Sequence, residues 1–208
     1  MADTETAFDF EAALRRAREG DDDALAQLLG RSGPAVRGEL QISPAWQSQI
    51  DPDDVMQVTY IDAFLRIGSC AARHETAFRA WLAQIARNNL VDAIRGLEAQ
   101  KRPPASRRVA LTDSSDPYAH LCDLVGATTS TPSRAVARDE LRSAVDRALE
   151  RLPADYSAAI RQMDLEGLPA HAVAERMKRS PAAVYMLVGR ARERLRELLG
   201  TASKFFSS

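Results

Sequence analysis

The sequence predicts an all-α protein of two small helical domains joined by a flexible linker. Three observations carry that reading. Ala, Leu, Arg and Glu are abundant and β-branched runs are scarce. Apolar residues recur at three- and four-residue steps, which stacks them on one face of a helix. From Pro103 to about Pro132 that periodicity stops in "PPASRRVALTDSSDPYAHLCDLVGATTSTPS", a stretch rich in Pro, Ser, Thr and Asp. The predicted divisions are therefore 1–102, a linker at 103–133, and 134–208.

Taken in order, residues 8–29 are amphipathic and broken at "EGDDD", where Asp21 to Asp23 can cap a following helix. "SPAWQSQIDPDD" punctuates the chain next. Asp51-Pro52-Asp53-Asp54 is a strong helix start. It has an acidic cap, a proline in the first turn, and carboxylates at the positive end of the helix dipole. That helix is predicted over residues 52–67. The loop "GSCAARHET" follows, and then "AFRAWLAQIARNNLVDAIRGLEAQKR" reads as one long helix. Its Phe78, Trp81, Leu82, Ile85, Leu90 and Ile94 form the apolar stripe, with Trp81 expected in the core. After the linker, residues 134–151 are helical again, followed by short helices at about 154–166, 170–177 and 181–199. Tyr118, His120 and Leu121, inside the linker, receive no place from pattern alone.

Composition narrows the function. The chain has 208 residues, 45% apolar and 27% charged, as in an ordinary soluble folded protein. No apolar run approaches the ~18 residues of a membrane span, so no membrane association is expected. The acidic start "MADTETAFDFEAALRR" has no apolar signal core, which gives a cytoplasmic expectation. Cys70 and Cys122 then read as reduced thiols. Three isolated histidines and two cysteines complete no metal set, and no glycine-rich phosphate loop or nucleophile–base grouping is present. The expectation is no cofactor, no metal, no catalytic residue and no enzyme activity.

The net charge of −1 hides an uneven distribution. Residues 1–62 hold 13 acidic and 5 basic side chains, residues 87–108 hold 2 and 6, and residues 176–196 hold 1 and 7. Such asymmetry suggests one surface for nucleic acid and another for a basic protein, beside the plainer reading of solvated helix faces.

"EGLPAHAVAERMKRSPAAVYMLVGRARERLREL" contains a helix, a short turn and a second helix that starts with Ser180 as cap and Pro181 as first residue. Val173, Ala174, Met177, Val184 and Leu187 are suited to lock the two helices together. A helix-turn-helix places its second helix in the major groove, first turns nearest the bases.

The same segment, extended back to "LERLPADYSAAIRQMDL", resembles region 4 of the extracytoplasmic-function sigma factors of bacterial RNA polymerase. The shared elements are Leu152-Pro153, Gly167-Leu168, Ala174-Glu175 and the Arg-Ala-Arg-x-x-Leu from Arg190 to Leu195. "DPDDVMQVTYIDAFLRI" resembles sigma region 2.2, and "FRAWLAQIARNNLVDAIRGLEAQKR" resembles regions 2.3 and 2.4. The matches fall in the family's order. The His171-Ala172 pair departs from the family's Glu-Glu at that place.

The resemblance implies a sigma factor that binds core RNA polymerase and directs promoter recognition, −10 melting and initiation. It implies that Asp51, Asp53, Asp54 and Gln57 meet the polymerase clamp, though Asp51 also reads as a helix cap. Arg87, Asn88, Asn89, Asp92 and Arg95, with the loop at 69–76, would meet the non-template −10 strand, amides reading a base and arginines holding phosphates. Arg179, Ser180, Ala182, Ala183, Tyr185, Arg190 and Arg192 would meet the −35 element, with the alanines against thymine methyls. Tyr185 and Met186 stand where relatives carry polar groups. They either face DNA or bury against another helix. The implied partners are core RNA polymerase, promoter DNA and an anti-sigma regulator. The alternative is a helix-turn-helix regulator whose N-terminal domain senses a signal or dimerises.

Overall fold

A computed structural model describes residues 8–101, 116–126 and 136–203. Every regular element among them is helical. The helices are α1 (Phe10–Arg18), α2 (Asp22–Glu39), α3 (Pro52–Arg66), α4 (Glu75–Lys101), α5 (Pro117–Val125), α6 (Val136–Glu150), α7 (Ala154–Ile160), α8 (Ala170–Met177) and α9 (Pro181–Ser203). Contacts divide the chain into two units, one ending at Val91 and the other beginning at Asp92, inside α4.

In the first unit, short polar side chains set the helix starts. Asp9 accepts from the Ala12 amide, Asp21 from the Ala24 amide, and Asp51 from the Asp53 amide. Pro52 takes the first turn of α3, as its missing N–H permits. Helix α2 runs ten residues past the predicted end at Leu29, through Gly33 and Pro34. Local breaker chemistry loses there to packing. Val36 is buried, and Gly33 lies so close to Tyr60 that an added Cβ would stand 2.1 Å from the phenol oxygen. Leu14, Leu25, Leu28, Ile67, Cys70 and Phe78 form the core, with Trp81 partly buried against it and its ring 5.4 Å from that of Phe78.

In the second unit, α9 is the central element and packs against α5, α6, α7 and α8. The structure departs here from a plain linker over 103–133. Residues 117–125 form helix α5, which buries Leu121, Cys122 and Val125. Its start is capped by Asp116 and its end by Gly126 at φ 65°, a left-handed turn that glycine takes without Cβ strain. Arg196 Nε donates to the Val125 carbonyl at 2.6 Å, which ties α5 to α9. The remaining residues of that stretch lie outside the described ones. After α7 the backbone widens into a π turn over Arg161–Leu165, where a continuous helix to residue 166 was predicted.

Candidate nucleic-acid and protein interface

Helix α3 presents its first turn to solvent. Asp51, Asp53 and Gln57 are exposed and Asp54 is half-buried, while Val55, Met56, Val58 and Thr59 face inward. Asp53 is already engaged. Arg37 of α2 grips it in a two-pronged pair at 2.5 and 3.1 Å. The Arg37 hydrogen bond holds the Asp53 carboxyl below its ordinary range. The pair is exposed on both sides, so it is loosely held and open to exchange with an incoming cation.

Helix α4 separates its two asparagines. Asn88 is exposed, with Oδ1 accepting from Gln84 at 2.9 Å, and Arg87 is exposed beside it, donating to Gln84 Oε1. Asn89 has no exposed surface. Its Nδ2 donates to Thr59 Oγ1 at 3.1 Å, and Thr59 donates to the Val55 carbonyl at 2.7 Å. The expectation that Asn89 reads a base is therefore corrected: a 100° step along the helix turns it into the interior. The loop before α4 alternates. Cys70 and Ala72 are buried, whereas Ala71, Arg73 and His74 are exposed. His74 Nδ1 accepts from the Ala77 amide and so caps α4.

Within the second unit, Asp92, Gly96 and Gln100 of α4 line one strip at four-residue steps. Asp92 pairs with the nearly buried Arg190, which also holds Glu193 at 2.7 Å. Arg95 is largely exposed and 4.0 Å from Asp92. The Tyr185 ring covers Gly96, where an added Cβ would meet it at 2.2 Å, and its hydroxyl donates to Gln100 Oε1 at 3.4 Å.

The helix-turn-helix forms as predicted. Val173, Ala174, Val184 and Leu187 are buried between its helices. Lys178 makes the turn at φ 53°, and Ser180 Oγ accepts from the Ala183 amide. The first turns of α9 are more enclosed than the sequence implied. Ala182 and Ala183 are buried, which corrects their assignment to thymine methyls. Met186 is fully buried and Tyr185 half-buried, so the helix-packing alternative holds for both. Arg190 is also corrected, from phosphate contact to interior ion pair. Arg179 pairs with Asp155 at 2.9 Å and Arg192 with Asp164, whose side chain is enclosed, at 2.5 Å. Those carboxylates, like Arg37, were missed. Their partners lie 24, 28 and 16 residues away, and no local pattern announces such pairs.

Among the described residues no helix is long and apolar enough to cross a membrane, and no group of three His, Cys, Asp or Glu could hold a metal.

Comparison with known proteins finds two matching regions. Residues 46–100 match the family described as "Sigma-70 region 2", and residues 142–195 match "Sigma-70, region 4". An "ECF RNA polymerase sigma-E factor" of Haemophilus influenzae is 33% identical over 88% of this chain and 91% of its own length. "RNA polymerase sigma factor CarQ" of Myxococcus xanthus is 30% identical over 90% of this chain and 95% of its own. "RNA polymerase sigma-H factor" of Pseudomonas aeruginosa is 29% identical over 89% and 91%.

Proposed function

The chain belongs to the extracytoplasmic-function RNA polymerase sigma factors, and from that premise we propose how its surfaces divide the work. The protein binds core RNA polymerase and directs promoter recognition, −10 melting and transcription initiation. A regulator with an unrelated sensing domain is not favoured, because the N-terminal half itself matches sigma region 2.

The exposed acidic first turn of α3 is the polymerase-docking surface in this proposal. Asp51, Asp53, Asp54 and Gln57 supply charge and polar contact at the positive end of the helix. A basic partner would take Arg37's place on Asp53, an exchange between two exposed pairs that costs little. The observation that carries this reading is that these side chains cluster at one end of α3 while Val55 and Met56 anchor the same turn from below.

The −10 surface in the proposal is narrower than the sequence implied. It comprises Arg87, Asn88 and Arg95 on α4 together with the exposed loop residues. Asp92 belongs to an ion pair. At the −35 element, Arg179, Ser180 and Arg192 remain. Arg179 and Arg192 would have to trade a carboxylate for a phosphate, so phosphate binding there is offset by a broken pair. Strand opening is driven by binding energy alone, with chemistry left to the polymerase, and the protein acts where transcription occurs, in the cytoplasm. An anti-sigma regulator belongs to the proposal as a further partner.

The test is Asp53→Arg combined with Asp54→Arg. Core binding, measured by co-elution with core polymerase, and promoter-specific run-off transcription should both be lost while the circular dichroism spectrum is retained. Undiminished core binding by this variant would refute the docking assignment.

A further inference from the structure

The loop between α3 and α4 is held from a distance. Arg18, in the last turn of α1, donates from Nη2 to the carbonyl of Cys70 at 2.5 Å and to the carbonyl of Ala72. The two acceptors lie 52 and 54 residues along the chain. Cys70, which is in extended conformation, and Ala72 are the two inward residues of the loop. One guanidinium nitrogen thus spans both. The loop is tied at its ends as well, by the Cys70 amide to the Ile67 carbonyl at 3.0 Å and by the His74 cap on α4. Between these ties only Ala71 and Arg73 are turned outward without a buried anchor of their own.

We infer that Arg18 is a positioning residue for promoter opening. It fixes the loop so that the exposed face of Ala71, Arg73 and His74 is preorganised for an unstacked base and its phosphate. The inference rests on the proposal that this loop meets the non-template −10 strand. The physical argument is specific to the donors. A loop with no regular hydrogen bonding must be ordered before it can select a base, and each immobilised residue costs conformational entropy. An arginine that is always charged and holds two carbonyls removes that cost in advance of DNA binding. The hydrogen bonds of Arg18 go to the loop and not to the acidic turn of α3, so polymerase docking should be indifferent to it.

Arg18→Met keeps the apolar stem and removes every donor, while Arg18→Lys keeps a cation able to reach a carbonyl. Each full-length variant is assembled with core polymerase and offered a pool of short random-sequence single-stranded DNA, and the retained sequences are read out. Open-complex formation is followed on a duplex promoter in parallel. Arg18→Met should bind core as the parent does. It should lose base preference at one or two positions of the retained motif and open the duplex about tenfold more slowly, the low end for a single charge-assisted bond, since both carbonyls can turn to water at this part-exposed site. Arg18→Lys should recover part of both. Arg73→Ala, a loop-face variant, should lose preference at the same positions.

An unchanged motif for Arg18→Met, with the parent's motif intact, overturns the inference and leaves the −10 surface standing. Loss of core binding, or a lowered unfolding midpoint with the motif preserved, also overturns it by reducing Arg18 to a structural role. A parent complex that retains no motif removes the −10 assignment of the loop itself, and the inference with it.

Discussion

Asn88 and Asn89 are adjacent, chemically identical and equally eligible to read a base, yet the structure turns one to solvent and the other inward. Substituting each in turn separates the two roles. For Asn89→Ala the change can be worked from the contacts. The Nδ2–Thr59 bond is lost, about 1 kcal/mol. The vacated amide leaves a small cavity in a close-packed interior, about 1–2 kcal/mol. Against this, Asn89 Oδ1 meets no donor although it is buried, and removing it returns about 1 kcal/mol. Thr59 keeps its bond to the Val55 carbonyl. The net loss of stability is about 1–2 kcal/mol. Asn89→Leu refills the volume without the unmatched oxygen and should cost under about 1 kcal/mol. Neither variant should impair promoter opening at temperatures where it is folded. Asn88→Ala should do the reverse. Its stability stays within about 0.5 kcal/mol, as expected for an exposed helix position. Open-complex formation falls roughly tenfold, the scale of one lost base contact. Urea unfolding followed by circular dichroism gives the first quantity, and permanganate footprinting of the −10 region gives the second. A stably folded Asn89→Leu protein that opens promoters as poorly as Asn88→Ala would refute the assignment of Asn89 to the interior in the working complex.

Two further outcomes follow from packing and burial. Gly33→Ala should lower stability by about 1 kcal/mol, because an overlap with Tyr60 of about 1–3 kcal/mol outweighs the ~1 kcal/mol gained in helix propensity. In a Tyr60→Ala background the same substitution should become neutral or stabilising, and a chevron or urea series that shows no change of sign would refute the close approach. Burial, then the Asp123 and Asp116 carboxylates, push the Cys122 thiol up to about 11 from its ordinary 9.0. Its folded value lies above its unfolded one, so the stability this neutral thiol contributes is full below about pH 9 and is lost as pH rises through 11. Urea midpoints should therefore fall more steeply across that range for the parent than for Cys122→Ala, and parallel curves would show that the thiol is not shielded.

The elements that sequence alone supplied are those whose determinants lie within a few residues of one another. Asp51 with Pro52 and Ser180 with Pro181 announce helix starts, because a cap and a missing N–H act within one turn. The stripe through Phe78, Leu82 and Ile85 announces α4, because helical period is a local property. The order of the region 2 and region 4 motifs carried the family. Helix α5 escaped, since Pro117 and Gly126 bound only nine residues amid proline- and serine-rich chain, and Leu121, Cys122 and Val125 acquire an apolar partner only from α6, α9 and the π turn. The enclosure of Ala182, Ala183 and Met186 escaped for the same reason: whether an apolar residue on a recognition helix meets DNA or protein depends on what lies over it.

What the amino-acid sequence determined by itself was the helical class, the caps, the helix-turn-helix and the two sigma-type regions. Tertiary structure alone decided which of two asparagines is available, which arginines of α9 are already paired, and which arginine holds the loop before α4. The reason is distance along the chain. The bonds that settle these points join residues 98, 54, 30 and 28 apart, and a side chain's neighbours at such separations exist only once the helices have packed.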